Sequence, residues 1–180
     1  MIDSQEMVFV VDENNKPVEP KLRSVAHKQS LWHRTSGIWV INTTLQILCQ
    51  KRSLKKDVKP GFWEAYFGGH LAPNEDYLHN GASEVGEELG ITVSQRDLIS
   101  YGVVKSVPPA HPEFQHIFAL MLNKPANEFP FEKEEIDQLE WKDIDEVRKI
   151  LVERKDKEWV IKPWDEAVLN WLTEIIEAHR

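Results

Sequence analysis

Hydrophobic and polar residues alternate along the chain in short stretches, a pattern typical of strands joined by tight turns. A helix is predicted at 75–89, where Gly90 supplies the stop, and a strand followed by a helix is predicted within 134–151. Strands are predicted at 7–11, 37–42, 45–50, 63–67, 98–107 and 115–122. This mixture favours a layered α/β (α+β) fold.

The chain has 180 residues, which is the length of one domain. We predict a single domain over 1–180, with an N-terminal β-hairpin extension at 1–35 and a C-terminal helix at 163–179. Pro163 stands near the start of that helix, and apolar residues follow at helical spacing.

Composition restricts the class of partners. The formal net charge of −8 argues against binding to nucleic-acid polymers or anionic membranes. The acidic N-terminus lacks the apolar segment of a signal peptide, and the apolar run at 117–122 is far shorter than the ~18 residues of a membrane span. One cysteine, Cys49, cannot form an intramolecular disulfide. We expect a soluble cytoplasmic protein, and a homodimer is left open.

Three glutamates, Glu84, Glu87 and Glu88, are spaced to share one face of the predicted helix. Like charges at this spacing repel one another. A divalent cation such as Mg²⁺ explains such a face, because it binds carboxylate oxygens and completes its shell with water and substrate phosphates. From the residues alone, a solvated acidic face is the alternative.

Residues 69–91 resemble the Nudix box, in which Gly, five residues, Glu and seven residues precede Arg-Glu-apolar-any-Glu-Glu-any-Gly-apolar. Gly69, Glu75 and the segment 84–91 match this spacing, whereas Ser83 replaces the arginine. The resemblance implies the Nudix fold, an α/β/α sandwich with a mixed β-sheet and a loop–helix catalytic motif.

The resemblance also implies a role for each matching residue. Gly69 offers its carbonyl to a metal, and Glu84, Glu87 and Glu88 hold the ion, with Mg²⁺ expected and Mn²⁺ as the alternative. Glu75 supports the loop and the helix. Glu87 and Glu88 also belong to the implied catalytic set, because a carboxylate must deprotonate the attacking water.

A second source of a catalytic base is the loop before the strand that carries Trp141, as in members of the family. Glu134 and Glu135 occupy that loop, and Glu135 is the catalytic candidate taken from it. The alternative is a pair of exposed acids at the start of a strand.

A wider resemblance links the chain to isopentenyl-diphosphate isomerases and their hydrolase relatives, through AHKQSLWH, KRSLKKDVKPGFW, GGHL and KPW. It places phosphate contacts at Arg52 and Lys56, as charge-assisted donors, with a solvated loop as the alternative. It also places His27, His33 and His70 near metal-binding histidines of the isomerases. Here we favour ordinary polar or packed histidines.

The residues that isomerisation requires do not match. The isomerase cysteine position is occupied by Gly68, and the late glutamate position by Gln115, with Glu113 two residues away. We therefore predict a Nudix-type pyrophosphohydrolase that cleaves a phosphoanhydride bond in a small nucleoside diphosphate-linked or similar diphosphate compound. The alternatives are an isopentenyl-diphosphate isomerase and a non-catalytic nucleotide-binding module, which Ser83 favours.

Overall fold

The computed structural model describes residues 5–107, 111–154 and 156–179. The ends of the predicted domain, 1–4 and residue 180, lie outside the described residues. In chain order the elements are β1 (Met7–Val8), β2 (Lys21–Leu22), α1 (Arg23–Lys28), β3 (His33–Ile41), β4 (Gln46–Arg52), β5 (Trp63–Glu64), α2 (Tyr77–Leu89), β6 (Leu98–Ser106), β7 (Glu113–Met121), β8 (Ile136–Asp143), α3 (Ile144–Glu153) and α4 (Asp165–Ala178).

A mixed sheet forms the centre of the domain. Strands β3 and β7 run parallel over their whole length, from the pair His33 and Glu113 to the pair Ile41 and Met121. Strand β6 lies antiparallel to β7, and β4 is antiparallel to β3, β5 and β8. The predicted α/β (α+β) class with a mixed sheet is confirmed.

Helices cover both faces of the sheet, and the alternation of side chains along β3 explains why. Ile38 and Val40 belong to a buried cluster with Val85 and Leu89 of helix α2. Trp39, on the opposite face, belongs to a cluster with residues of α3 and α4. Because successive side chains of a strand point to opposite faces, one apolar strand supports two helical layers. Among the described residues, no helix is long and apolar enough to cross a membrane.

The N-terminal extension contains the hairpin of β1 and β2, followed by helix α1, which the sequence does not predict. Helix α1 has six residues and no side-chain hydrogen bond at its N-cap, so the sequence carries little local signal for it. Arg23 at its start donates to Asp57 with an Nη1–Oδ2 distance of 2.9 Å. This ion pair connects the extension to the basic loop that follows β4.

Helix α2 begins and ends at residues that the sequence indicates. The Asp76 side chain accepts a hydrogen bond from the His79 N–H at 2.8 Å, and Gly90 adopts the left-handed conformation with φ of 67°. The predicted helix at 75–89 is thus two residues too long at its start. The predicted strand at 63–67 is also too long: β5 ends at Glu64, and a single bridge at Phe67 follows.

Two glycines at the end of α2 are expected to respond oppositely to substitution by alanine. A Cβ at Gly86 would lie 3.6 Å from the Ile91 carbonyl oxygen, an ordinary contact. A Cβ at Gly90 would lie 2.5 Å from the Pro130 carbonyl oxygen, at positive φ. We expect Gly86→Ala to raise the free energy of unfolding by about 1 kcal/mol and Gly90→Ala to lower it, as measured by urea unfolding. A destabilised Gly86→Ala protein would contradict the described end of α2.

Candidate active site

The loop that enters the candidate site passes so close to β3 that only glycine fits at Gly68, and at Gly69 a side chain would displace the carboxylate of Glu84. The Ser36 N–H donates to the Gly69 carbonyl at 3.0 Å. A Cβ at Gly68, where φ is +140°, would lie 2.2 Å from the Ser36 carbonyl oxygen. A Cβ at Gly69 would lie 2.4 Å from Oε1 of Glu84. The glycines therefore bring the loop, the strand and the helix glutamate together.

Glu88 is the buried member of the predicted metal-binding set. Its Oε2 accepts a hydrogen bond from the Gly68 N–H at 3.2 Å. Burial raises the pKa of Glu88 well above its usual range, and the charges of Glu84, Glu64 and Glu135 raise it further. Without a cation, the surroundings of this carboxyl group therefore favour its neutral form.

Glu84 lies one helical turn before Glu88 and has a similar environment. Burial and the charge of Glu87 raise the pKa of Glu84 to about 8, although the Asn80 side chain, which donates to Oε1 at 3.4 Å, opposes the shift. Glu87 itself is exposed. The three predicted ligands thus share a helix face, but Glu87 is exposed to solvent whereas burial raises the pKa of Glu84 and of Glu88.

Glu75 connects the loop to helix α2. Its Oε2 accepts hydrogen bonds from the Ala72 N–H at 2.8 Å and from the Asn80 side chain at 3.2 Å. Asn80 also donates to the His70 carbonyl at 3.2 Å. Glu75 therefore joins the loop at Ala72 to Asn80 of helix α2, and its supporting role stays a prediction.

The loop before β8 lies beside the end of α2. The Glu132 N–H donates to the Glu88 carbonyl at 3.0 Å. Glu135, the predicted base, forms a close ion pair with Lys56, the predicted phosphate ligand, and Glu134 pairs with Lys55 at 2.5 Å. Two residues assigned separate roles from the sequence are therefore in direct contact.

Arg52, the other predicted phosphate ligand, is anchored by a carboxylate that the sequence analysis did not identify. Its Nη1 donates to Oε2 of Glu64 at 2.8 Å, and its Nε donates to the Val58 carbonyl at 3.1 Å. Glu64 is buried at the end of β5. The sequence does not indicate this ion pair, because Glu64 stands among aromatic and small residues typical of an ordinary strand.

Three histidines converge beside the glycine loop. Ligand nitrogens of His27, His33 and His70 all lie within 4.8 Å of one another, and the Nε2 atoms of His27 and His70 are 3.1 Å apart. His33 Nδ1 donates to the Leu31 carbonyl at 2.8 Å, so the neutral ring leaves a lone pair on Nε2. That Nε2 atom is buried without a hydrogen-bond partner.

The surroundings of this cluster suit a metal with nitrogen ligands. Burial, followed by the charges of His111 and His70, lowers the pKa of His27 to about 3, so its ring is neutral. The Glu113 carboxylate lies 3.7 Å from His33 Nε2. Neutral imidazoles with one carboxylate are ligands for zinc, manganese or iron. In the part of the chain that is described, only these histidines form so compact a group of possible metal ligands, and the expectation of ordinary packed histidines stays a prediction.

Comparison with known proteins shows the family of the chain. The NUDIX domain family matches residues 31–164, and the chain belongs to this family. An uncharacterized Nudix hydrolase of Clostridium acetobutylicum is 26% identical over 159 residues, which cover 84% of this chain and 77% of that protein. An isopentenyl-diphosphate Delta-isomerase of Photorhabdus laumondii is 29% identical over 133 residues, covering 71% and 75%.

A similar fold is found among solved structures. The crystal structure of DR0079 from Deinococcus radiodurans superposes with a TM-score of 0.71 at 20% identity and covers 92% of this chain and 98% of that one. The Nudix fold expected from the sequence is confirmed.

The raised pKa of Glu84 leads to a prediction for the metal-free protein. Between about 4.5 and about 8 the folded protein retains a proton at Glu84 that the unfolded chain releases. Stability of the wild type therefore falls with rising pH across this window, by at most about 1.4 kcal/mol per pH unit from this group. Glu84→Gln removes this contribution, so the variant should match the wild type near pH 4 and be more stable at pH 9.

Urea unfolding in a chelating buffer at pH 4, 7 and 9 measures this difference. Glu177→Gln, at an exposed position of α4, is the control and should follow the wild type at every pH. Parallel stability profiles for Glu84→Gln and the wild type would mean that Glu84 is solvated.

Proposed function

We propose that the protein is a metal-dependent hydrolase that cleaves a phosphoanhydride bond in a nucleoside diphosphate-linked or similar diphosphate compound. The observation that carries the proposal is the buried carboxyl group of Glu88, held by the Gly68 N–H and surrounded by Glu84, Glu64 and Glu135. Membership of the Nudix family supports hydrolase chemistry at this place.

The donor set fits a divalent cation. Glu84 and Glu88 present oxygen ligands whose pKa values are raised by burial and by the charges of neighbouring carboxylates. The Gly69 carbonyl accepts one hydrogen bond from Ser36, and a carbonyl oxygen has a second lone pair for a cation. When bound there, Mg²⁺ or Mn²⁺ supplies neutralisation of the phosphate oxygens and activation of water.

The chain itself supplies proton transfer and phosphate binding. The oxygen of a water molecule bonds to phosphorus while the bridging P–O bond breaks, and the water proton passes to a carboxylate, Glu88 or Glu135. Arg52 and Lys56 bind the phosphate oxygens. Both cations form ion pairs with carboxylates, Arg52 with Glu64 and Lys56 with Glu135, and these pairs restrict the positions of the two side chains.

The proposal is tested by phosphate or nucleotide release from the full chain with Mg²⁺. The panel contains nucleoside di- and triphosphates, nucleotide sugars, dinucleotides and isopentenyl diphosphate. We expect turnover of at least one hydrolysable member, and loss of at least about a hundredfold in kcat in Glu88→Gln, because the variant lacks one anionic metal ligand and one of the two candidate bases. Glu177→Gln should retain full activity.

The test separates the alternatives. Nucleotide binding without turnover in the presence of either metal would favour a non-catalytic module. Conversion of isopentenyl diphosphate to its isomer would favour the isomerase. The sequence speaks against that second outcome, because Gly68 stands at the isomerase cysteine position.

A further inference from the structure

The N-terminal extension supplies two side chains to the region of the histidine cluster beside the glycine loop. His27 comes from helix α1, and Glu6 immediately precedes strand β1. The other two histidines belong to the central domain, His33 at the start of β3 and His70 directly after the glycine pair. A backbone bridge between Val10 and His33 holds the extension against the sheet. The cluster is therefore assembled from two parts of the chain.

The carboxylate of Glu6 faces the ring nitrogen of His70 that does not contact His27. Glu6 Oε1 lies 3.2 Å from His70 Nδ1, whereas His70 Nε2 lies 3.1 Å from His27 Nε2. An ionised carboxylate only accepts hydrogen bonds, so this contact favours the His70 tautomer that carries its proton on Nδ1. The lone pair of the neutral His70 ring is then on Nε2, inside the cluster.

His33 has the same arrangement with a different acceptor. Its Nδ1 atom donates to the Leu31 carbonyl at 2.8 Å, and its Nε2 atom is buried without a hydrogen-bond partner. Two of the three rings thus have an acceptor beside Nδ1 and a lone pair on Nε2. Histidines that bind metals in proteins typically have such an outer acceptor, because it fixes the tautomer and the orientation of the ring.

The cluster is accessible from solvent. His33 is buried, but His27 and His70 are only half-buried. The side chain of His70 is 16% exposed and that of Glu6 is 33% exposed. An ion can therefore approach the lone pairs of the cluster without opening the core of the domain.

Arg23 restricts the orientation of the Glu6 carboxylate. Arg23 Nε lies 3.5 Å from Glu6 Oε2, which is the oxygen that does not contact His70. The guanidinium group also donates to Asp57 of the basic loop at 2.9 Å, and the Arg23 side chain is only 11% exposed. Each oxygen of Glu6 thus has its own partner, and the contact with His70 is held in a defined geometry.

We propose that Glu6 is a positioning residue for a transition-metal ion such as Zn²⁺ that is held by the three histidines. The resemblance to the isomerases accounts for the histidines but assigns no role to Glu6. Glu6 acts through His70, because its negative charge makes Nε2 a more basic ligand and its contact with Nδ1 holds the ring toward the cluster. This inference excludes the expectation of ordinary packed histidines, and it does not depend on the hydrolase function.

The test is calorimetric titration of the full chain with Zn²⁺ in excess Mg²⁺. The binding event that His70→Ala removes is the one that belongs to the cluster. We expect Glu6→Ala to weaken this event by about tenfold to a hundredfold. Glu6→Gln should weaken it less, because the amide oxygen still accepts from His70 Nδ1.

Glu19→Ala is the matched control. Glu19 belongs to the same extension and pairs with Lys21 at 2.6 Å, but its side chain is 80% exposed and its partner is not a histidine. We expect this variant to bind Zn²⁺ as the wild type does. Urea unfolding in a chelating buffer establishes that each variant is folded.

The tautomer of His70 provides a readout that a loss of folding would not imitate. Ring nitrogen chemical shifts of the metal-free protein should show the Nδ1–H tautomer in the wild type and a mixture of tautomers in Glu6→Ala. Weaker Zn²⁺ binding with an unchanged tautomer would overturn the inference, since Glu6 would then not act through His70.

Three results of the titration would also overturn it. The first is a wild type without any Zn²⁺ binding event that depends on His70, in which case the histidines are ordinary packed residues. The second is an unchanged affinity in Glu6→Ala. The third is a loss in Glu19→Ala as large as that in Glu6→Ala. Because binding is measured, an absence of hydrolysis leaves each of these outcomes interpretable.

Discussion

The candidate site depends on the close contact between the Gly68–Gly69 loop and Ser36 of β3. The backbone hydrogen bond between Ser36 and Gly69 fixes the loop against the strand. The loop then presents one N–H to Glu88 and leaves space for Glu84 where a larger residue would have a side chain. The caps fix where helix α2 begins and ends. The contacts of Glu84 and Glu88 with the loop direct the acidic face of the helix toward that loop.

The buried glutamates of this site have no compensating cation on their own helix. The box arginine of the family is Ser83 here, so the helix itself contributes no cation beside its glutamates. Positive charge comes instead from β4 and the basic loop. Although burial lowers the pKa of Arg52, the charges of Glu64 and Glu88 raise it overall, which shows that Arg52 is electrostatically coupled to the acidic cluster. Arg52 of strand β4 thus supplies part of the positive charge that the motif lacks at Ser83.

Local sequence signals predict much of the fold and part of the site. Alternating apolar residues identify the long strands, and Gly90 marks the end of α2, because these signals act over a few residues. Fixed spacing identifies the glutamates. The burial of Glu64, the exposure of Glu87 and the convergence of the histidines depend on segments far apart in the chain. No local pattern encodes them, and α1 is too short to show a period.

The parallel pairing of β3 and β7 has a consequence for the order of folding. Between these neighbours the chain forms β4, β5, α2 and β6, so the pair closes only after a long excursion. Local hairpins and helices form before contacts that must first overcome the entropy of closing such a loop. His33 and Glu113 meet only in that late contact. During refolding, recovery of helical signal should therefore precede the pairing of β3 with β7.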